Sequence, residues 1–113
     1  MLDPAFTEKT TVARYSNSLG DLSTAERERR LQVLADFAAY VERDPDQMIA
    51  EVFDEQTRKY RKRGFYTGKA KEFAASTGDS RNAALWRSNV IRAFFIANGR
   101  RLLPEQADWM RAS

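Results

Sequence analysis

Apolar residues recur at intervals of three and four along most of this chain, which is the spacing of amphipathic helices. No stretch shows the sustained alternation of apolar and polar residues that marks a half-buried strand. The first helix is predicted over residues 7 to 19, with Val12, Tyr15 and Leu19 on one face and Gly20 as its terminator. The pattern therefore predicts an all-α fold.

Capping signals predict where the next two helices begin. Ser23 and Glu26 form a Ser-x-x-Glu capping box, in which side chains satisfy the free backbone N–H groups of the first turn. Glu42 and Arg43 end this second helix, and its apolar face comprises Leu31, Leu34, Phe37, Ala38 and Val41.

The third helix begins at Asp44, Pro45 and Gln47, because Asp can cap, Pro suits the first helical position and Gln completes a second box. We expect this helix to continue to about residue 63 and to break at Gly64. Part of a basic run would then lie on its last turns, where cations suit the helix dipole.

Two more helices are predicted over residues 65 to 75 and 81 to 98, the second capped by Asp79 or Ser80. Leu103 and Pro104 resemble a further helix start that carries Ala107, Trp109 and Met110. On a helical wheel the helix over residues 81 to 98 has a core side and a basic side. The core side carries Ala83, Trp86, Val90, Phe94 and Ala97, and the basic side carries Arg81, Ser88 and Arg92.

Composition narrows the class of protein further. A chain of 113 residues with 42% hydrophobic content suits one folded core. It lacks cysteine and histidine, which removes disulfides, thiolate nucleophiles, Cys-type zinc sites and the commonest general base. No apolar run is long enough for a membrane span, and the acidic start does not resemble a signal peptide. We expect a soluble cytoplasmic protein with no membrane partner.

The charge distribution is strongly asymmetric, although the net charge is only +3. Residues 58 to 101 hold twelve Lys or Arg against two acids, whereas residues 1 to 57 hold six against twelve. The centre of the basic half is RKYRKRGFYTGKAK, residues 58 to 71, with seven basic residues and no acid. Such a block favours a polyanionic partner, most often nucleic acid.

The candidate DNA-binding residues follow from this block and from the outward side of the helix over residues 81 to 98. They are Arg58, Lys59, Arg61, Lys62, Arg63, Lys69, Lys71, Arg81, Arg87 and Arg92, with Ser88 beside them on that helix. Their cations can neutralise phosphates and release counterions. The ordinary alternative is a solvated helix end and an amphipathic helix with polar cover.

Three aromatic residues interrupt the basic run, and rings can stack on exposed bases. Binding to the phosphates of duplex DNA, however, does not require such stacking. We therefore expect Phe65 and Tyr66 to pack behind the basic surface, as the other aromatic residues pack in the core. Tyr60 is the third ring of the run.

Carboxylates and glycines offer little enzyme chemistry. Asp44 and Asp46 are helix-start residues, while Asp54 and Glu55 are neighbours on different helix faces. The Gly64 to Lys69 segment has the wrong spacing for a phosphate-binding loop. We predict no catalytic residue, no metal site and no cofactor, and a carboxylate-only enzyme remains the weakest alternative.

Two helix patterns resemble the core-binding, SAM-like N-terminal domain of tyrosine recombinases and phage-type integrases. The first carries Ser23, Arg27, Leu34 and Phe37, and the second carries Ser80, Ile91, Arg92, Phe94 and Phe95. The resemblance implies a compact orthogonal bundle of four to five helices over residues 1 to 104, with residues 105 to 113 as a C-terminal helix or linker toward a separate catalytic domain. It also implies that Arg27 and Arg92 are matched basic positions.

The resemblance implies a role in DNA integration and recombination, in which the domain binds double-stranded DNA without cutting it. Contact with other recombinase protomers would then occur through a full-length protein. The alternative is a helical adaptor whose basic surface binds an acidic protein.

Overall fold

The computed structural model describes residues 2–103. The helices in this range are α1 (Pro4–Thr7), α2 (Thr10–Ser18), α3 (Thr24–Val41), α4 (Pro45–Val52), α5 (Arg63–Ser76) and α6 (Arg81–Ala97), and the strands are β1 (Phe53–Asp54) and β2 (Lys59–Tyr60). The all-α prediction is confirmed, because five helices of eight or more residues and a one-turn α1 build this part of the chain. The predicted elements after residue 103 lie outside the described residues.

The predicted starts of α3, α4 and α6 are confirmed at the atomic level. The Ser23 side chain accepts a hydrogen bond from the backbone N–H of Glu26 at 3.2 Å, and the Ser80 side chain caps α6 in the same way through Ala83. Asp44 and Gln47 form the full capping box of α4. These caps are local, so residues within one turn specify them.

The first predicted helix is divided in two at Glu8 and Lys9. Lys9 lies at the N-cap of α2 in an extended conformation and donates a hydrogen bond to Asp44 Oδ2 at 2.7 Å. Thr11 N–H donates to Asp46 Oδ1 at 3.2 Å. The start of α2 is therefore docked on the start of α4, and these long-range contacts favour a chain break at this point.

The prediction that the third helix runs to about residue 63 is wrong. Helix α4 ends at Val52, and an antiparallel hairpin pairs Phe53 with Tyr60 and Asp54 with Lys59. Asp54 accepts backbone hydrogen bonds in the turn, and its carbonyl accepts one from Arg58 N–H at 2.7 Å. Gly64 lies inside the first turn of α5 and breaks nothing.

Helix α6 is the centre of the core and contacts α2, α3 and α5. Phe94 meets Tyr15 of α2 edge-on at a centroid distance of 6.1 Å, and Phe95 lies 5.5 Å from Tyr66 of α5. These four rings and Phe37 are fully buried. The large apolar residues thus form one core, and the surfaces of α5 and the hairpin stay available for contact with other molecules.

Candidate nucleic-acid interface

The hairpin and the start of α5 carry the first five basic residues of the run. Arg58 adopts a left-handed conformation with φ 56° in the hairpin turn, and Lys62 does the same with φ 55° at the N-cap of α5. The chain therefore turns at both residues. Arg58, Lys59, Arg61 and Lys62 are exposed, and Arg63 is half-buried.

Arg58 and Lys59 are the most available of these cations. Neither side chain has an ion pair with any acid in residues 2–103. The two hairpin acids are engaged elsewhere, since Asp54 accepts turn N–H groups and Glu55 pairs with Arg100 at 2.9 Å. The hairpin thus leaves two adjacent positive charges in solvent.

Arg61 and Lys62 form loose ion pairs. Arg61 lies 3.7 Å from Asp54 with its side chain 66% exposed, and Lys62 lies 3.8 Å from Glu51 with its side chain 50% exposed. Exposed ion pairs of this kind contribute about 0 to 1 kcal/mol. A phosphate can therefore replace either acid at little cost.

The two lysines of α5 are less open than the hairpin cations. Lys69 pairs with Glu72 at 3.4 Å and has its ammonium 5.7 Å from the Phe65 ring centroid. Lys71 is half-buried and interacts with other groups of the protein. The basic run is thus weighted toward its hairpin end.

Arg27, Arg87 and Arg92 bind backbone carbonyl groups of the protein itself. Arg27 donates to the carbonyl of Gly20 at 2.6 Å and to that of Ser16, both at the end of α2. Arg92 donates to the Leu103 carbonyl at 3.1 Å, which anchors the chain after α6. These guanidinium groups are engaged in the fold.

Arg87 is largely enclosed, with a side chain only 12% exposed. It donates to the Ala74 carbonyl at 2.9 Å, to Asp79 at 2.8 Å and to the Thr77 hydroxyl. Ser88 beside it is buried, so the prediction that Ser88 lies on the outward side of α6 is wrong. The reason is that α5 packs along this side of α6.

Arg81 is exposed but distant from the hairpin. Helices α5 and α6 are antiparallel neighbours joined by a short turn, so Arg81 lies near the end of α5 and the hairpin precedes its start. A helix of 14 residues spans about 20 Å at 1.5 Å per residue. The predicted residues therefore do not form one continuous patch.

The aromatic residues of the run have different environments. Tyr66 is fully buried, as predicted, whereas Phe65 is 50% exposed and the prediction for it is wrong. Tyr60 is 42% exposed. Helical position explains the difference, since consecutive residues of a helix point about 100° apart and the buried face at the start of α5 comprises Tyr66 and Thr67, which leaves Phe65 at its edge.

Tyr60 belongs to a cluster of two rings and two cations at the base of the hairpin. Its ring lies 5.2 Å from that of Phe53 at 74°, and the Arg63 guanidinium lies 4.0 Å from its centroid. Arg100 lies 4.2 Å from the centroid of Phe53. The order Arg100, Phe53, Tyr60, Arg63 joins both strands to α5 and to the segment after α6.

A cleft of about 580 Å³ lies between α4 and the hairpin. Its charged lining comprises Asp46, Glu51, Asp54, Glu55, Arg61, Lys62 and Arg100. Because both signs of charge are present, the cleft attracts anions less strongly than the exposed Arg58 and Lys59, which do not line it. We therefore place the candidate interface on the hairpin.

Glu51 connects this cleft to the core. It accepts a hydrogen bond from the Tyr66 hydroxyl at 2.6 Å. Burial opposes its ionisation, but that hydrogen bond and the charges of Lys62 and Arg43 hold the pKa of Glu51 below its usual value. Burial and the same contact raise the pKa of Tyr66. Glu51 is thus an ionised carboxylate held by Tyr66, with Lys62 as a loose partner.

In residues 2–103 no three carboxylates come together in a way that could hold a metal ion. The same range contains no helix with both the length and the apolar content that a membrane crossing requires. What the described fold and surface define is a small helical domain with a basic hairpin. Comparison with protein-family models, curated proteins and solved structures finds no match for the chain.

Proposed function

We propose that this chain binds double-stranded DNA through the phosphate groups, with the hairpin as the main contact. The observation that carries this proposal is the pair Arg58 and Lys59, which are exposed and have no acidic partner in the described chain. Arg61 and Lys62 flank them in ion pairs that a phosphate can displace. The proposal includes the cytoplasmic location expected from the sequence, where the protein could reach a DNA duplex.

The energetics of this contact come mainly from counterion release. Each phosphate neutralised on duplex DNA contributes a slope of about −0.9 to the plot of log affinity against log salt concentration. Four hairpin cations therefore support a slope of about −3 to −4. Binding of this kind sets position and orientation, and it carries little sequence information.

A narrower form of the proposal is the core-binding role in a tyrosine recombinase or integrase, and it rests on the sequence resemblance. All nine residues named for the resemblance have roles in the fold: Ser23 and Ser80 cap helices, Leu34, Phe37, Ile91, Phe94 and Phe95 are buried, and Arg27 and Arg92 bind carbonyls. The resemblance therefore supports a kind of helical bundle more directly than it supports DNA contacts. Finding an Arg-, His- and Tyr-bearing catalytic domain in the same protein would support this form.

Charge reversal at single residues tests DNA binding. We expect Arg58→Glu and Lys59→Glu each to weaken binding to a 20-base-pair duplex, and each to make the salt slope shallower by about 1. Arg14→Glu is the matched control, because Arg14 is exposed on α2 and the substitution changes the net charge equally. Fluorescence anisotropy with a labelled duplex at several salt concentrations measures both quantities.

Two results would contradict the proposal. If Arg14→Glu weakens binding as much as the hairpin substitutions do, the effect comes from net charge and not from a hairpin contact. If an acidic protein without nucleic acid competes as well as the duplex at equal charge, the adaptor function is favoured.

A further inference from the structure

We propose that Tyr60, stacked with Arg63, is a binding platform for an unpaired nucleobase, so that the hairpin also binds single-stranded DNA. This inference rests on the proposed function, because the cations that would hold the phosphates are the same. The inference adds a second ligand, a DNA strand whose bases are not paired. It also names one residue, Tyr60, that would contribute to binding of this strand and not to binding of a duplex.

The first argument is the exposure of the ring. Tyr60 is 42% exposed although Phe53 and Arg63 already contact it. A tyrosine that served only to stabilise the hairpin would gain more by burying this surface. Planar aromatic rings and guanidinium groups are the two side-chain types on which bases stack, and here the Arg63 guanidinium lies over the Tyr60 ring, 4.0 Å from its centroid.

The second argument is the charge around the ring. Lys59 and Arg61 are the chain neighbours of Tyr60, and Arg58 precedes them in the turn. Proteins that bind single strands combine such a positive track for the backbone with a ring for the base. A duplex keeps its bases stacked inside and would leave the Tyr60 ring unused, so an unpaired strand fits both features together.

The third argument is rigidity. Paired strands fix Tyr60 opposite Phe53. Arg63 of α5 lies over the Tyr60 ring, and Arg100 lies over the Phe53 ring. A base that stacks on Tyr60 therefore meets a ring that is already oriented. Little side-chain entropy is lost on binding, which favours affinity.

The experiment compares two single-stranded probes with the same number of phosphates, a thymine dodecamer and a dodecamer of abasic sites. We expect wild type to prefer the thymine strand by at least about fivefold, the lower end of what stacking of one base contributes. Tyr60→Leu should remove this preference while leaving abasic and duplex binding nearly unchanged. Tyr60→Phe should retain the preference, because it keeps the ring.

Tyr40→Leu is the matched control, because Tyr40 is 43% exposed and no cation lies over its ring in the described chain. The ratio of the two affinities distinguishes stacking from a folding defect, since damage to the hairpin lowers both affinities together. A preference that survives Tyr60→Leu, or an equal loss on both probes, overturns the platform and leaves duplex binding in place. Absence of binding to all three DNA probes overturns the proposed function as well.

Discussion

Single arginines in this protein have different roles, and the environment of each guanidinium decides which. Arg58 lies in a hairpin turn in solvent, whereas Arg87 is almost enclosed between α5 and α6. An enclosed guanidinium has lost its water, so the carbonyl and carboxylate that it contacts must replace those hydrogen bonds. Both residues belong to the basic half of the sequence, and clustering of charge along a sequence does not reveal which neighbours cover each side chain.

Replacing Arg87 tests this distinction. We expect Arg87→Ala to lower the free energy of unfolding by about 1 to 3 kcal/mol, because the Ala74 carbonyl and Asp79 lose their donor. Arg81→Ala, at an exposed position on the same helix, should change it by less than about 0.5 kcal/mol. Urea unfolding of both variants measures the difference. Equal stabilities would show that the Arg87 contacts contribute nothing to the fold.

The ion pair between Lys9 and Asp44 should make stability depend on pH. The hydrogen bond from Lys9 at 2.7 Å holds the pKa of Asp44 below its ordinary value of 3.8. A carboxyl whose pKa is lowered by folding stabilises the protein above its unfolded pKa, and this contribution is lost as the pH falls through the folded value. We therefore expect Asp44→Asn, which keeps a capping side chain, to be less stable than wild type at pH 6.

The same ion pair predicts that the stability difference between Asp44→Asn and wild type narrows as the pH falls below 3.8. Asp21→Asn is the control, because Asp21 is exposed and has no ion pair in the described chain. Urea midpoints between pH 6 and pH 2.5 measure both. A difference that stays constant with pH would mean that Asp44 acts only as a helix cap.

At the scale of secondary-structure elements, the sequence predicts features set by neighbouring residues and misses those set by contacts between residues far apart in the chain. The starts of α3, α4 and α6 depend on side chains within one turn, and all three are predicted. The hairpin is contacted by Arg100, which pairs with Glu55 from 45 residues away and lies over the Phe53 ring. Its strands have two residues each, too few for a period to appear.

The candidate site was predicted in part for the same reason. Charge clustering located the basic run, and this required no knowledge of the fold. The exposure of Tyr60 and Phe65 could not be predicted, because it depends on where α4 ends and which side of α5 meets the core. A helix continued to residue 63 would have given each ring a different neighbour.

The hairpin turn offers a test that separates stability from binding. Arg58 has φ 56°, a conformation that costs a non-glycine residue about 1 to 2 kcal/mol. We expect Arg58→Gly to leave the free energy of unfolding unchanged or to raise it by up to about 1 kcal/mol, since the added entropy of unfolded glycine offsets part of the gain. The same substitution should weaken duplex binding and make the salt slope shallower by about 0.9.

Arg58→Ala provides the comparison for this prediction, because it removes the same charge without relieving the backbone. The duplex affinity of Arg58→Ala should fall as much as that of Arg58→Gly, and its free energy of unfolding should not rise above that of wild type. Thermal unfolding and anisotropy on the same samples measure the two effects. Equal duplex affinity in wild type and both variants would remove Arg58 from the interface.

In the molecule as a whole, packing and charge are separate. One apolar core joins α2, α3, α5 and α6, and its largest side chains are fully buried. Most ion pairs of the described residues lie at the surface, whereas Arg87 of the Arg87–Asp79 pair is largely buried. The acidic first half of the chain places Asp54 and Glu55 in the hairpin and Glu51 beside Lys62. These acids lower the local charge without covering Arg58 and Lys59.

This separation predicts that stability and duplex affinity respond differently to salt. Raising NaCl from 0.05 to 0.5 M should change the free energy of unfolding by less than about 1 kcal/mol, because exposed ion pairs contribute little and the core is uncharged. Over the same tenfold range, duplex affinity should fall by about three to four orders of magnitude if four phosphates are neutralised. Urea unfolding and anisotropy in matched buffers measure both responses. If the free energy of unfolding fell together with the affinity, the ion pairs would be needed to hold the basic hairpin in place. The cluster of Arg100, Phe53, Tyr60 and Arg63 would then not be sufficient to maintain it.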